Sequence, residues 1–246
     1  MCIRDSLDDV YRTTLALVHT AENGDRDFSF YRDPGADVML TEDEVDPDLI
    51  RRAKIFHYGT LSMTHDGVRK ATQKAIETAK ADHMLLSFDP NYRPPLWKSE
   101  ELAREQIAYG LSQCDILKIS EEELELMTGT KDIDAGVKVF QETYPNIKLL
   151  NVTAGAEGSY SYCNGHRVFV PGFLLGGTIE TTGAGDTFGG AVLNYVLDHD
   201  LDSLTEESLT EMLRFANAAA YLITTRKGAL RSMPERSQIE EILKNH

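Results

Sequence analysis

From Lys54 onward, the chain alternates short apolar runs with longer segments of helical periodicity. The first apolar run covers residues 54–58, and a helical pattern follows over residues 66–82. Further apolar runs begin at Met84, Asp115 and Lys148. Strands separated by helices of this length pair in parallel, because each connection crosses the sheet before the next strand starts. The pattern therefore predicts an α/β fold with a mainly parallel central sheet and helices on both faces.

A hairpin follows the last of these apolar runs. Residues 159–163 and 166–170 are both typical of strands, and Asn164-Gly165 stands between them. Asn-Gly favours the two-residue type I′ turn, since both of its positions need a positive φ. We therefore expect two antiparallel strands after the parallel series, followed by helices over residues 185–198 and after Thr205.

A second alternating pattern lies near the start of the chain. Residues 13–19 and 27–31 alternate apolar and polar positions, with Asn23-Gly24 between them. Such strands present one apolar face, which must be covered by another part of the protein or by a second subunit. We expect residues 13–35 to form a small β lid on a single domain of residues 1–246.

Composition excludes several classes of protein. The 246 residues carry a formal net charge of −15, and a field of that sign repels nucleic-acid phosphates. No apolar run approaches the roughly 20 residues that span a bilayer, so no membrane partner is expected. The three cysteines have no metal-binding spacing, and the start of the chain lacks an apolar signal segment. These features favour a cytoplasmic location.

The segment Thr-Thr-Gly-Ala-Gly-Asp-Thr-Phe, residues 181–188, carries the strongest chemical signal. Small residues at a loop-to-helix junction expose backbone N–H groups to an anion, and the helix dipole adds to the attraction. Asp186 at such a site is suited to general-base catalysis on a substrate hydroxyl, while the N–H groups of Gly183, Ala184 and Gly185 hold a phosphoryl group. The alternative is structural: an acid in the first turn stabilises any helix.

Other nucleotide-binding motifs do not fit this segment. A dinucleotide fingerprint needs a third glycine where this chain has Phe188, and the segment lies too late for a first βαβ unit. The chain has neither a Walker A loop nor a protein-kinase catalytic loop.

The same segment is similar to the signature of the ribokinase-like (PfkB) carbohydrate kinases. Residues 88–97, FDPNYRPPLW, resemble the D-P-N-x-R…L-W stretch of bacterial fructokinases. Residues 152–158, VTAGAEG, resemble V-T-x-G-x-x-G, and residues 28–32, FSFYR, resemble the lid strand of the sugar site. The resemblance runs in family order over residues 13–234. It implies a ribokinase-like three-layer α/β/α fold and ATP-dependent phosphorylation of a sugar hydroxyl, with fructose as the expected sugar.

The resemblance also implies roles for individual residues. Asp186 would be the base, with the anion hole formed by Gly183, Ala184 and Gly185. The residues expected on the ATP side are Thr153, Gly155, Glu123, Ser120 and Asn217. The residues expected near the acceptor sugar are Arg32, Arg93, Asn91 and Asp89. Glu123 matches the Glu of the family's N-x-x-E motif, which helps place the Mg²⁺-bound phosphates.

For three of these residues, a purely structural role is an alternative to binding or catalysis. Glu123 lies at an acidic helix start and is suited to capping. Asn217 lies on an apolar helix stripe, where a buried amide can satisfy its own hydrogen bonds within the core. Arg93 stands beside two prolines and would also suit an ordinary loop.

The chain departs from the family pattern at several positions. Ser120 stands where the family usually has the Asn of N-x-x-E. Glu180 replaces an Asp that helps form a monovalent-cation site in many relatives, so the resemblance leaves a requirement for K⁺ open. Relatives carry a longer segment ahead of the lid strand, and we therefore interpret the chain as a fragment or as having a misassigned start.

Two alternatives to fructose phosphorylation remain. Arg32 and Arg93 would suit the carboxylate of a sugar acid, which indicates a 2-keto-3-deoxygluconate kinase or another PfkB sugar kinase. The chain would otherwise be a truncated, non-catalytic nucleotide-binding relative. A homodimer formed through the lid is expected in either case.

Overall fold

The computed structural model describes residues 8–20 and 26–246. Its strands are β1 (Leu15–Thr20), β2 (Arg26–Tyr31), β3 (Ile55–Gly59), β4 (Leu85–Asp89), β5 (Ile116–Ser120), β6 (Leu149–Ala154), β7 (Gly158–Cys163) and β8 (His166–Pro171). Its α-helices are α1 (Pro47–Arg51), α2 (Asp66–Ala81), α3 (Glu100–Gln113), α4 (Glu121–Thr128), α5 (Ile133–Thr143), α6 (Ala184–Val196), α7 (Glu206–Thr224) and α8 (Arg236–Asn245).

The central sheet has the strand order β3-β4-β5-β6-β7-β8. Strands β3 to β6 pair in parallel, and β7 and β8 add an antiparallel hairpin at one edge. Each of these four parallel strands begins one residue after the start of the predicted apolar run. The mainly parallel α/β sheet expected from the sequence is therefore confirmed.

Helices cover both faces of this sheet. On one face, α2, α3, α4 and α5 pack against β4, β5 and β6 through a core that includes the fully buried Phe88 and Ile107. On the other face, α6, α7 and α8 pack through a second core that includes Phe188 and Leu213. Successive residues of a strand point to opposite faces, so each central strand contributes to both cores. The arrangement is the ribokinase-like three-layer fold.

Local signals explain where the elements begin and turn. The Ser99 hydroxyl accepts a hydrogen bond from the N–H group of Leu102 and caps α3, and Thr205 caps α7 in the same way. Asn164 and Gly165 have φ values of 51° and 78°, as the predicted type I′ turn requires.

Strands β1 and β2 form a separate two-stranded antiparallel sheet, the predicted lid. Its Asn23-Gly24 turn lies outside the described residues. At the base of the lid, Arg32 donates hydrogen bonds to Asp37, to the Thr64 hydroxyl and to the Leu61 carbonyl oxygen. Asp37 also accepts a hydrogen bond from Thr14, which precedes β1. Arg32 therefore ties both ends of the lid to the segment that follows β3.

Candidate active site

Several of the predicted residues lie where the parallel strands end. Asp89 is the last residue of β4 and Ser120 the last of β5, while Thr153 is next to last in β6. Ligands of open α/β sheets bind outside the carboxyl ends of the strands, because the loops there leave a crevice. The parallel topology thus brings three separate sequence motifs to one edge of the sheet.

The glycine turn before α6 shapes the centre of this edge. Gly183 adopts a φ of 79°, a left-handed conformation that favours glycine. The Ala184 N–H group donates to the Thr181 carbonyl oxygen at 3.2 Å, so it is already engaged. The first N–H groups of a helix lack intrahelical acceptors. Gly183 and Gly185 therefore remain the better donors for an anion at this turn.

Two cavities lie on either side of the α6 N-terminus. A cavity of about 360 Å³ is lined by Ala184 and Gly185 together with Gly155 and Asn217. A larger one of about 600 Å³ is lined by Asp186 with Asp89 and Asn91. The helix start thus separates Gly155 and Asn217, predicted on the nucleotide side, from Asp89 and Asn91, predicted on the acceptor side.

Asp186 stands exposed at this boundary. Among the residues that the structure describes, none donates a hydrogen bond to its carboxylate or forms an ion pair with it. Two hydroxyl groups close to it in sequence, on Thr182 and Thr187, are buried without a hydrogen-bond partner. The Asp186 carboxylate is therefore not engaged by any other described residue, and its role as a base stays a prediction.

Asn217 has a more structural environment than the sequence resemblance implies. Its amide nitrogen donates to the carbonyl oxygens of Val170 and Pro171, and its Oδ1 accepts from the Ser159 hydroxyl at 2.8 Å. The side chain also lines the 360 Å³ cavity. The Asn217 amide therefore joins β7 to β8 beside the cavity, and its role on the adenine side stays a prediction.

Ser120 and Glu123 form a reciprocal capping box at the start of α4. The Ser120 hydroxyl accepts from the Glu123 N–H group, and the Glu123 carboxylate accepts from the N–H groups of Ser120 and Tyr92. Burial and the nearby Asp89 charge raise the pKa of Glu123, against the opposing charge of Lys118. Glu123 thus contacts the loop that carries Asn91 and Arg93.

Arg32 and Arg93 have different environments. The Arg32 side chain is 7% exposed and ion-paired with Asp37, so its charge is already balanced within the protein. Arg93 is half-buried, and its guanidinium carbon lies 5.7 Å from the ring centroid of Phe28 in β2. Arg93 therefore connects the acceptor loop to the lid.

Two further positions from the sequence analysis, Thr153 and Glu180, do not line either of these two cavities. Thr153 is half-buried, and its hydroxyl lies 3.5 Å from the Ile119 carbonyl oxygen. The Glu180 carboxylate accepts a hydrogen bond from the Gly228 N–H group at 2.7 Å. The expectation about K⁺ stays a prediction.

Lys118 is a charged residue that the sequence reasoning missed. It lies in the middle of β5, with its side chain 13% exposed, and its Nζ lies 3.1 Å from Asp89 Oδ2. Burial lowers the pKa of Lys118, but the charges of Asp89, Glu123 and Asp186 outweigh burial and raise it. A lysine inside an apolar strand was the available signal, because a buried cation needs a partner.

None of the helices in residues 8–20 and 26–246 combines the length and apolar character that crossing a bilayer requires. In the same part of the chain, no group of three or more His, Cys, Asp and Glu side chains is arranged to hold a metal ion.

The parallel sheet, the glycine turn and the paired cavities define a ribokinase-like small-molecule kinase core. The family model for "pfkB family carbohydrate kinase" matches residues 6–236. The chain belongs to the pfkB family of carbohydrate kinases, which are phosphotransferases.

Curated relatives include a probable fructokinase-2 from Arabidopsis thaliana, 44% identical over 95% of this chain and 70% of that protein. Fructokinase-2 from Solanum lycopersicum is 43% identical over the same shares of the two chains.

Solved structures agree with this assignment. Fructokinase from Xylella fastidiosa with bound ATP has a TM-score of 0.84 and 32% identity, and the alignment covers 97% of this chain and 75% of that one. Fructokinase from Vibrio cholerae O395, bound to fructose, ADP and calcium, has a TM-score of 0.84 and 29% identity, with 96% and 75% covered. These neighbouring structures support binding of ATP and of a divalent metal ion together with a sugar substrate.

Proposed function

We propose that this chain transfers the γ-phosphoryl group of ATP to a hydroxyl group of fructose, giving fructose 6-phosphate and ADP. The observation that carries the proposal is the position of the α6 N-terminus between two cavities. A direct transfer between two substrates needs their reacting groups to be held close together and in line, which is possible where two adjacent sites meet. The fructokinase names of the relatives support fructose as the acceptor.

Asp186 is the proposed general base. The hydroxyl oxygen of the sugar attacks the γ-phosphorus, its proton passes to the Asp186 carboxylate, and the bond from phosphorus to the bridging oxygen of ADP breaks. The exposed carboxylate lines the 600 Å³ cavity without an ion-pair partner in the described part of the chain, which suits this role. Proton transfer of this kind contributes typically about 10²–10⁴-fold to a rate.

The glycine turn is the proposed anion hole. N–H groups of Gly183 and Gly185, with a smaller part from Ala184, face the charge that develops on the transferring group. The positive end of α6 adds to this field, since helix dipoles attract anions at their N-termini. This arrangement needs no movement of side chains during the reaction.

The nucleotide is proposed to occupy the 360 Å³ cavity, with Gly155 near the phosphates and Thr153 behind them. The cavity falls within the range of about 300–1,000 Å³ typical of ligand sites. Apolar residues such as Phe173 and Ala220 line it and would pack against the adenine base beside Asn217.

Mg²⁺ is the proposed metal ion. Proteins hold it through one or two carboxylates together with substrate phosphates, and not in a cage made wholly of side chains. Glu123 fits this pattern, since each of its oxygens accepts one backbone hydrogen bond and keeps a lone pair. The ion would neutralise charge on the phosphates.

Arg93 is the proposed determinant of acceptor specificity. Arg32 is balanced by Asp37, which leaves Arg93 as the arginine that faces the acceptor loop and the lid. A clamp for a sugar acid would need two free guanidinium groups aimed at one carboxylate. The balanced charge of Arg32 therefore favours a neutral sugar.

A panel of acceptors with ATP and Mg²⁺ tests the function. We expect fructose to have the highest kcat/KM, with phosphate found on the primary hydroxyl by NMR. A large preference for 2-keto-3-deoxygluconate would contradict the fructose assignment. ADP binding in calorimetry without turnover of any sugar would indicate a non-catalytic nucleotide-binding protein.

We also propose a homodimer formed through the lid, and a cytoplasmic location. Leu15, Leu17 and Tyr31 on the lid strands are all more than half exposed, and apolar surface of this kind favours association. Light scattering should give twice the mass of one chain, and a strict monomer at high concentration would contradict it. Buried free thiols at Cys114 and Cys163 suit a reducing compartment.

A further inference from the structure

Lys118 lies between the glycine turn before α6 and Asp89, where the acceptor loop begins. It lies on the face of β5 that also carries Ile116, because alternate residues of a strand share a face. That face packs against α6, and an added Cβ atom on Gly185 would lie 3.1 Å from Lys118 Nζ. The ammonium group therefore lies directly beneath the glycine turn.

The same ammonium group holds the acceptor side. Lys118 Nζ lies 3.1 and 3.3 Å from the two carboxylate oxygens of Asp89. Asp89 Oδ1 in turn accepts a hydrogen bond from the N–H group of Asn91, which has a φ of 47°. Asparagine is one of the few residues other than glycine that adopt this left-handed conformation readily, and the contact with Asp89 fixes the turn in it. Lys118 thus fixes the carboxylate that holds the Asn91 turn in place.

The charges around Lys118 do not balance. Asp89 contacts it from β4, and the negative charges of Glu123 in α4 and Asp186 in α6 also act on it and raise its pKa. His57 of β3 lines a cavity of about 300 Å³ together with Lys118 and Asp186, and its ring bonds to the Ser87 hydroxyl. One lysine therefore stands among three carboxylates at the point where a phosphoryl group brings further negative charge.

We propose that Lys118 is a positioning residue for phosphoryl transfer, which fixes the spacing between the acceptor loop and the glycine turn and supplies a permanent positive charge beneath that turn. This proposal rests on the proposed kinase function. It differs from a structural ion pair, because the charge acts on the turn as well as on Asp89. Fixed charges aimed at developing transition-state charge act mainly on kcat.

Lys118→Met keeps the length of the side chain and removes its charge. We expect kcat to fall by about 10²–10³-fold, while the KM values for ATP and sugar change by less than about threefold. The melting temperature should also fall, because the buried Asp89 carboxylate loses its counter-ion. Lys148→Met is the matched control, because Lys148 is half-exposed and pairs weakly with Asp202 at 3.9 Å. This variant should leave both kcat and the melting temperature unchanged.

A double-mutant cycle with Asp89→Asn separates the two roles. The double variant Lys118→Met/Asp89→Asn no longer has a buried charge without a counter-ion. Its melting temperature should therefore return most of the way to that of the unmodified chain. The loss of kcat from Lys118→Met should persist at about 10²-fold when measured in the Asp89→Asn background. A loss of less than about threefold in that background would overturn the proposal, since Lys118 would then act only as the counter-ion of Asp89.

Failure of the kinase function is distinguishable from failure of this inference. The unmodified chain is assayed first, and absence of sugar turnover contradicts the proposed function alone. Affinity for ADP, measured by calorimetry, then gives a readout for Lys118 that does not depend on turnover. In the Asp89→Asn background, Lys118→Met should keep ADP affinity within about threefold, as Lys148→Met does, and a larger loss would overturn the proposal, because Lys118 would then act on nucleotide binding and not on the transfer.

Discussion

Glu123 accepts a hydrogen bond from the backbone N–H group of Tyr92 at 2.6 Å, across 31 residues of sequence. Its other carboxylate oxygen accepts from the N–H group of Ser120 at 3.0 Å. One buried side chain thus joins the start of α4 to the loop that carries Asn91 and Arg93. The loop is held from two sides, by Glu123 here and by Asp89 at its beginning.

Glu123→Ala should release this loop. The Tyr92 N–H group would lose its partner, which costs about 1–3 kcal/mol of the free energy of unfolding for a buried group. The KM for the acceptor should rise, because Arg93 is no longer held. Ser120→Ala is the control, since it removes only the cap and costs about 1 kcal/mol. Urea unfolding that finds Glu123→Ala as stable as Ser120→Ala would contradict this role.

The attachment of the lid should depend on pH through Asp37. Burial raises the pKa of Asp37, but hydrogen bonds from Arg32 and Thr14 outweigh burial and hold the pKa below its usual value. A carboxylate of this kind stabilises the fold above the unfolded-state pKa of about 3.9, and the stabilisation is lost as pH falls through the folded-state pKa. The Asp37 side chain is 47% exposed, so the effect is modest.

Asp37→Asn should therefore lower the melting temperature at pH 7, and the difference from the unmodified chain should shrink as the pH falls below about 4. Calorimetry across this pH range measures it. Asp43→Asn, at an exposed acidic position nearby, is the control and should leave the melting temperature unchanged. A difference for Asp37→Asn that stays constant down to acid pH would rule out the ionised carboxylate as its cause.

The nucleotide cavity can be narrowed without touching its polar groups. Ala220 lines the cavity of about 360 Å³, and Ala220→Leu places three more carbon atoms in it. Affinity for ADP should fall by about tenfold or more, since overpacking costs about 1–3 kcal/mol, while the KM for fructose stays unchanged. Ala135→Leu on the exposed face of α5 is the control. Unchanged ADP affinity for Ala220→Leu would move the nucleotide out of this cavity.

The sequence was sufficient to predict the parts of the fold that rest on local patterns. The Asn164-Gly165 turn and the parallel strands both follow from residue types and short-range periodicity. The acidic composition of residues 41–48 is typical of a solvated loop, but the segment contains a short 3₁₀ helix at Glu42–Glu44 and the start of α1. Short capped turns of this kind leave little periodic signal.

The site was harder to predict, because its contacts join distant segments. The S-x-x-E pattern of Ser120 and Glu123 indicates a capping box, but nothing local reveals that Glu123 also holds Tyr92. The ion pair of Lys118 could not be predicted from local sequence, because its partner Asp89 lies 29 residues away on the neighbouring strand. The pairing of Arg32 with Asp37 depends on how the lid folds back, which no local pattern in the sequence indicates.

The substitution Asp186→Asn tests the central claim most directly, because the amide keeps the shape of the side chain but cannot take the hydroxyl proton. With fructose and ATP, kcat should fall by about 10²–10⁴-fold, while ADP affinity and melting temperature stay close to those of the unmodified chain. Asp198→Asn, in the exposed segment that follows α6, is the control and should leave kcat unchanged. If Asp186 only stabilised the helix start, Asp186→Asn would lower the melting temperature and keep kcat near normal, and that result would contradict the account.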